Sequence, residues 1–199
     1  MTAQPLQSGF RDSVREAQAV FRSVMMAMAR PGTVERLAAD LAPPSPLTAE
    51  LAAVALTLCD HEASLWLDAG LAQSVAVVDF LRFHTGTRIV DEPVAAAFAL
   101  VSDPIAMPAL ARFAQGTDEY PDRSTTLIVA VKSIGANAGL ILDGPGIKGA
   151  ARLSLDPLPP DFIGQHAANH ELFPRGVDCV FVAPGKVAAL PRSTRVQEG

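Results

Sequence analysis

Four short segments rich in glycine, proline and arginine constrain the fold of this chain more than any other feature. They lie in its second half, at residues 116–126, 142–147, 173–178 and 190–196. Glycine adopts backbone angles that other residues avoid and proline fixes φ, so such segments are typical of loops with a defined shape. Their arginine side chains suit carboxylate or phosphate groups. None of the segments contains a nucleophile–base pair or a full set of metal ligands.

The composition predicts one folded domain. The chain has 199 residues, of which 49% are hydrophobic and 19% are charged. A chain of this length buries about 70% of the surface that its unfolded form exposes, and its modest charge favours folding over disorder. We predict a single domain over residues 1–199, with an ordered core at about residues 9–196.

Charge and cysteine content limit the classes of partner and the cellular compartment that the sequence predicts. The net charge of −5 argues against binding to nucleic acid, because phosphate backbones require a clustered positive field. No run of about 18 apolar residues is present, so the sequence predicts no membrane span. Neither Cys59 nor Cys179 has a second cysteine nearby, and the N-terminus lacks the pattern of a signal peptide. These features favour reduced thiols in the cytoplasm.

The first strong element is a helix over about residues 14–29. Ser13 and Glu16 have the spacing of a capping box, and apolar residues recur at intervals of three and four, which predicts one buried stripe. Its methionine-rich end suits either a partner surface or core packing, and core packing is the favoured interpretation. The predicted stripe consists of Val14, Ala17, Phe21, Val24 or Met25, and Met28.

The remaining patterns predict an α/β fold. Helices are predicted at about residues 46–58, 71–84 and 160–170, a short helix near 106–114, and strands at 64–67, 96–101, 125–132, 138–142, 150–155, 178–182 and 187–190. Helices and strands alternate early in the chain, and strands follow one another later. This order is typical of layers packed around a mixed sheet.

One loop has the composition of an anion-binding turn. Gly144, Gly146 and Lys148 lie close together, and successive backbone N–H groups in a glycine-rich turn bind phosphate in many proteins. The spacing matches neither a Walker A loop nor a dinucleotide-binding fingerprint. Because apolar strands flank the loop, a shaped connection between strands is the favoured alternative.

The arginines of the last two segments allow two interpretations. Arg175, Arg192 and Arg195 form an anion-binding cluster if their loops converge, or they pair with acids on another chain. Interface pairing is slightly favoured, because no catalytic group accompanies them. In the rival hypothesis, Lys148, Arg175 and Arg192 bind a phosphorylated small molecule in a concave pocket, beside a titratable group with a shifted pKa such as His166 or Glu119.

Three further clusters of reactive side chains are present. His166 and His170 have the i, i+4 spacing of metal ligands, but no third ligand stands out, so a polar helix face is the favoured interpretation. The four reactive side chains at residues 59–62 (Cys, Asp, His and Glu) are interpreted as a helix C-terminal loop rather than a catalytic site. The acids around Tyr120 at residues 118–123 are interpreted as a turn with polar caps.

The four segments, together with residues 21–32, resemble the H subunit of the bacterial carbon–phosphorus lyase core complex, a family of phosphonate metabolism. The resemblance covers about residues 9–196. It implies a three-layer α/β/α fold with a mixed central sheet, similar to pyridoxal-phosphate-dependent transferases but without a working cofactor site. It also implies a homodimer in isolation and, in cells, an assembly with the G, I, J and K subunits.

The resemblance implies an accessory role rather than independent catalysis. The family supports formation of ribose 1-phosphonate 5-triphosphate from ATP and a phosphonate, so the chain would be a non-catalytic subunit of a transferase complex. We accordingly expect no cofactor, no metal and no catalytic residue. The alternative is a stand-alone binder or enzyme that acts on a phosphorylated small molecule. The candidate anion-binding or interface residues are Gly144, Gly146, Lys148, Arg175, Arg192 and Arg195.

Overall fold

The computed structural model describes residues 8–199, which form five α-helices and ten strands. The helices are α1 (Ser13–Ala29), α2 (Ala49–Leu58), α3 (Ala69–Ala72), α4 (Val75–Thr85) and α5 (Phe162–His170). The strands are β1 (Glu35–Arg36), β2 (Ser64–Leu67), β3 (Arg88–Val90), β4 (Phe98–Val101), β5 (Thr126–Ala130), β6 (Ser133–Asp143), β7 (Ala151–Asp156), β8 (Asp178–Ala183), β9 (Lys186–Leu190) and β10 (Arg195–Gln197). No helix in this part of the chain has the length and apolar content needed to cross a membrane.

The strands form a mixed sheet of seven and a separate sheet of three. The order in the large sheet is β1-β9-β8-β5-β4-β2-β3. Its five strands from β8 to β3 are parallel, while β9 runs antiparallel to both β8 and β1. The small sheet, β10-β6-β7, is antiparallel throughout. The mixed α/β architecture agrees with the prediction.

The large sheet separates two apolar clusters, one on each face. Ile128 and Val180 point towards α1, α2 and α4, whereas Leu127 and Phe181 point towards α5 and the small sheet. Strands β5 and β8 are therefore buried on both faces, which is typical of central parallel strands. The second face differs from a layer made of helices alone, because the β6–β7 hairpin buries its own apolar side there and shares the face with α5.

Helix α1 buries a different face from the one predicted. Val20, Val24 and Ala27 are buried against the core, while Phe21 and Met25 are each 50% exposed. Val14 is 64% exposed. The apolar residues of α1 cover more than one face, and the buried one lies about a quarter turn from the predicted stripe. Tertiary contacts with α2 and β9 select between them.

The predicted helix boundaries also needed correction. The cap of α1 is Asp12, one residue before Ser13, and α2 begins after a Thr48 cap rather than at Pro46. The predicted helix at residues 71–84 is two helices, since Ser74 caps α4 after a break. In place of the predicted short helix near 106–114, two 3₁₀ turns lie at Pro104–Ala106 and Leu110–Arg112. Propensity and periodicity locate elements well, but local side-chain caps decide where they start.

Candidate functional site

The four glycine- and proline-rich segments converge on one cleft, although they are far apart in sequence. The cleft has a volume of about 480 Å³ and is open to solvent. We call it the loop cleft. It is lined by Met28 and Ala29 of α1, and by Pro121, Asp122, Pro145, Gly146, Phe173, Pro174, Asp178, Pro191, Arg192 and Ser193.

Arg192 holds three of these segments together. Its Nε donates to Asp178 Oδ1 (3.1 Å), and its Nη2 donates to Asp178 Oδ2 and to Ser124 Oγ (2.6 Å). Its Nη1 donates to the backbone oxygens of Pro121 (2.8 Å) and Pro174 (3.4 Å). A guanidinium has five N–H donors, and these five contacts use all of them. Arg192 therefore acts as an internal cross-link within the described chain.

The Arg192–Asp178 pair is largely shielded from solvent. Both side chains are 14% exposed. The backbone N–H of Arg192 adds a bond to Asp178 Oδ1 (2.8 Å), and its backbone oxygen lies 2.9 Å from His170 Nδ1. Breaking a pair of this kind leaves an uncompensated charge in a poorly solvated place, which costs about 3–5 kcal/mol. These bonds join the segments at residues 116–126, 173–178 and 190–196 beside the loop cleft.

The segment at residues 142–147 is fastened to the others by close backbone contacts. Gly144 has φ +135°, and a Cβ there would lie 2.9 Å from the Ser193 backbone oxygen. Gly146 has φ +82°, and a Cβ there would clash with the backbone oxygen of Ala29 at the end of α1. Only glycine meets both requirements at these positions. Their role in the structure is close packing of the backbone.

The two remaining arginines also pair with acids of their own chain. Arg175 Nε lies 2.9 Å from Asp118 Oδ1, and Arg195 Nη1 lies 3.2 Å from Asp143 Oδ1. Each pair joins two of the four segments. Lys148 is exposed and lies outside the residues that line the loop cleft. Of Lys148, Arg175 and Arg192, only Arg192 lines the cleft, so the structure does not gather the three side chains of the rival hypothesis around it.

The two histidines of α5 make separate contacts within the chain. His166 is fully buried between the helix and the large sheet, next to Phe162, so the interpretation of a polar helix face is wrong for this residue. Burial lowers the pKa of His166 to about 4, and the Leu190 backbone offsets the effect only in part. His170 Nδ1 contacts the backbone oxygen of Arg192. Among residues 8–199, no group of three or more His, Cys, Asp or Glu side chains could hold a metal.

The two other reactive clusters form loops, as the sequence predicts. Cys59 ends α2, and Asp60 Oδ1 accepts the backbone N–H groups of Glu62 and Ala63. Burial raises the pKa of the Cys59 thiol to about 12, which keeps it protonated and unreactive. Residues 118–123 form a turn in which the guanidinium of Arg123 lies 4.1 Å from the centre of the Tyr120 ring.

Sequence reasoning missed the partners of Arg192. Asp178 and Ser124 both lie inside the segments first singled out, but nothing in their spacing indicates that they meet at one guanidinium. The apolar lining by Met28 and Phe173 was missed as well, because the C-terminal end of α1 is 90 residues or more from the loops that it contacts.

Comparison with known proteins identifies the family. A family model described as "Bacterial phosphonate metabolism protein (PhnH)" matches residues 8–197. The chain belongs to this family. It is 46% identical over 199 residues, covering 99% of both chains, to "Alpha-D-ribose 1-methylphosphonate 5-triphosphate synthase subunit PhnH" of Rhizobium meliloti (strain 1021). It is 29% identical over 197 residues, covering 98% of this chain and 94% of the relative, to HtxG of Stutzerimonas stutzeri, which is named as a C-P lyase subunit. The family expected from the sequence is confirmed.

Proposed function

We propose that this chain is a non-catalytic, accessory subunit of the complex that makes ribose 1-phosphonate 5-triphosphate in phosphonate metabolism. The full-length similarity to a named synthase subunit supports the assignment. One structural observation carries the accessory role: all five N–H donors of Arg192, the central cation of the loop cleft, are bonded within the chain. Such an arginine shapes a surface and has no donor left for a phosphate.

The loop cleft has the character of a protein interface. Phe173 at its edge is 60% exposed, and aromatic residues and methionine are enriched in interface cores. The surrounding prolines and the Arg192 network keep the surface rigid, which lowers the entropic cost of binding. In this proposal Gly144, Gly146 and Arg192 maintain the shape. We assign the exposed Lys148 and Arg195 and the partly exposed Arg175 to a charged rim of the proposed interface.

We further propose that the chain forms a homodimer in isolation and assembles with the G, I, J and K subunits in the cytoplasm. Both relatives carry names of complex subunits. The two cysteines are free and buried, as expected for a reducing compartment. We also propose that residues 1–199 are one domain, since both apolar clusters pack on the same sheet.

The finer fold assignment, a pyridoxal-phosphate-dependent transferase architecture without the cofactor, is likewise a proposal. Parallel sheets bind ligands at the carboxyl ends of neighbouring strands whose connections leave in opposite directions. Here β2 leads to β3 on one side and β4 leads to β5 on the other. Between them, Asp68 accepts the backbone N–H groups of Ser102 (2.6 Å) and Asp103 (3.0 Å). These hydrogen bonds link the ends of the two strands across the crevice, which supports a fold of this type without a working cofactor site.

Co-expression with the G and I subunits, followed by light scattering, tests the accessory role. We expect a stoichiometric complex from the unchanged chain. We expect Phe173→Ser to weaken the assembly about tenfold or more, as for an interface anchor, with an unchanged Tm. Val94→Ser is the matched control, because Val94 is equally exposed but lies outside the loop cleft.

Two results would contradict the proposal. One is a free chain that ignores its partners. The other is tight binding of tripolyphosphate or methylphosphonate by the isolated chain, measured by calorimetry and abolished by Lys148→Ala. The second result would favour the alternative, a stand-alone protein that acts on a phosphorylated small molecule.

A further inference from the structure

Helix α1 and the end of α2 form an apolar groove that is separate from the loop cleft. Its volume is about 500 Å³, and we call it the helical groove. Phe21 and Met25, which a conventional core helix would bury, are half-exposed along it. Val14 continues the apolar stripe by two further turns towards the start of α1. The groove is lined by Ala17, Gln18, Phe21, Arg22, Met25 and Thr57.

The dimensions of the exposed stripe match a short helix. From Val14 to Met25 it spans three turns of α1, or about 17 Å at 1.5 Å per residue. Its members recur at i, i+7 and i+11, as in grooves that receive the apolar side of an amphipathic helix. Methionine and phenylalanine suit such a groove, because methionine adapts to irregular contacts and phenylalanine supplies a large apolar area.

The charge beside the groove indicates the partner's chemistry. Arg22 lines the groove, and Arg15 lies seven residues before it, so both occupy one edge of the stripe. Arg15 is 3.6 Å from Asp12, and its side chain is 88% exposed. Such an exposed pair holds the arginine weakly. A locally basic edge on a chain with net charge −5 favours an acidic partner.

The same edge disfavours a second copy of this chain. When two identical helices pack antiparallel, the same edge of each helix meets its counterpart. Arg15 and Arg22 would then face Arg22 and Arg15 of the other copy. Like charges across such a contact are destabilising, so a twofold α1–α1 interface would oppose itself.

We propose that the helical groove binds an amphipathic helix of another protein, with apolar residues on one face and Asp or Glu beside them. The proposal rests on the assembly role proposed above, because such a helix would belong to a partner subunit. It gives α1 two separate surfaces, since its C-terminal end borders the loop cleft and its exposed stripe borders the helical groove.

The direct test uses the purified chain and two labelled three-turn helical peptides, measured by fluorescence anisotropy. Both carry leucines at i, i+4 and i+7; one has glutamates beside them and the other has lysines. We expect the glutamate peptide to bind at least about tenfold more tightly, with an affinity that falls as salt increases. Arg22→Glu should reverse the preference, and Phe21→Ser should weaken both peptides. Val75→Ser, an exposed apolar position on α4, is the control.

Equal binding of the two peptides, or binding unaffected by Phe21→Ser, would overturn the proposal. Light scattering adds a further check: a dimer of the chain that dissociates on Phe21→Ser would show that a second copy occupies the groove. Because the peptides are tested on the isolated chain, these outcomes are independent of co-expression. If the unchanged chain forms no complex on co-expression with the G and I subunits but still prefers the glutamate peptide, the result would instead count against the proposed function.

Discussion

At the scale of single residues, Arg192 shows how a side chain suited to phosphate comes to serve the protein's own structure. Its planar guanidinium presents five donors in fixed directions, and the folded chain supplies an acceptor for each of them. Three of these acceptors are oxygens of Pro121, Pro174 and Ser124. A lysine could not satisfy them together, because its three donors share one nitrogen at the end of a flexible stem.

Removal of Arg192 should therefore destabilise the whole molecule. We expect Arg192→Met to lower the free energy of unfolding by about 3–5 kcal/mol, because Asp178 loses its partner in a shielded place. Urea denaturation measures the change. Arg195→Met is the control, and we expect it to cost less than about 1 kcal/mol, because its pair with Asp143 is far more exposed. Equal losses for the two variants would contradict the assigned role of Arg192.

The buried His166 should make stability depend on pH. Burial lowers the pKa of His166 to about 4 in the folded chain, whereas an unfolded histidine titrates near 6.5. Between these values the unfolded state binds a proton that the folded state does not, so stability is full above about pH 6.5 and falls as the pH drops towards 4. Within this range the free energy of unfolding falls by up to about 1.4 kcal/mol for each pH unit, the value for one proton.

Urea denaturation at several pH values from 5 to 7 checks this dependence. We expect His166→Gln to flatten the slope whatever its effect on stability at pH 7, because the variant has no titrating group at that position. The exposed His61 is the comparison site, and His61→Gln should leave the slope unchanged. An identical slope in His166→Gln would show that other groups produce the dependence.

At the scale of elements, the loop at residues 142–147 depends on its contact with the end of α1. Two glycines allow the cost of the backbone conformation to be distinguished from the cost of losing the contact. Gly146 and Gly149 both have positive φ, +82° and +75°, but a Cβ on Gly146 would meet the Ala29 backbone oxygen, while none of the described atoms lies within 4 Å of a Cβ on Gly149. Substitution at both sites can therefore isolate the close approach.

We expect Gly149→Ala to cost about 1–2 kcal/mol, the price of a left-handed conformation. Gly146→Ala should cost about 1–3 kcal/mol more, because the loop must also move away from α1. Thermal and urea denaturation measure both variants. If the two substitutions cost the same, the contact with Ala29 does not hold the loop.

At the scale of the whole molecule, the seven-stranded sheet should make the two apolar clusters unfold together. Strands β5 and β8 contribute alternate residues to both clusters, so neither cluster can be lost without exposing the strands of the other. Trp66, the single tryptophan, belongs to the cluster beside α5. The helices α1, α2 and α4 belong to the opposite cluster.

Tryptophan fluorescence and far-ultraviolet circular dichroism should consequently report one unfolding midpoint in urea. Coincident transitions are the standard indication of two-state behaviour. Leu127→Ala and Ile128→Ala face opposite clusters, and each should shift both signals by the same amount. Separate midpoints would show that the chain is two domains rather than the single domain proposed.

Much of this protein could be predicted from its sequence, because the relevant signals are local. Apolar runs predicted most strands of the large sheet, and glycine and proline marked the four loops. The combination of those loops also indicated the family, which the comparisons confirm. By contrast, β1, β3 and β10 have two or three residues each, which is too short for an alternating pattern to be recognised.

The tertiary structure alone decided which of these features meet and which side chains they leave exposed. The sequence contained Arg192, Asp178 and Ser124, but only the packing of β8, β9 and the connecting loops brought a carboxylate and a hydroxyl to one guanidinium. The sequence likewise made α1 apolar on two neighbouring faces, and contact with α2 and β9 buried one of them. The physical reason is the same in both cases: residue type and spacing set local backbone preferences, whereas burial and charge pairing depend on neighbours that are distant along the chain.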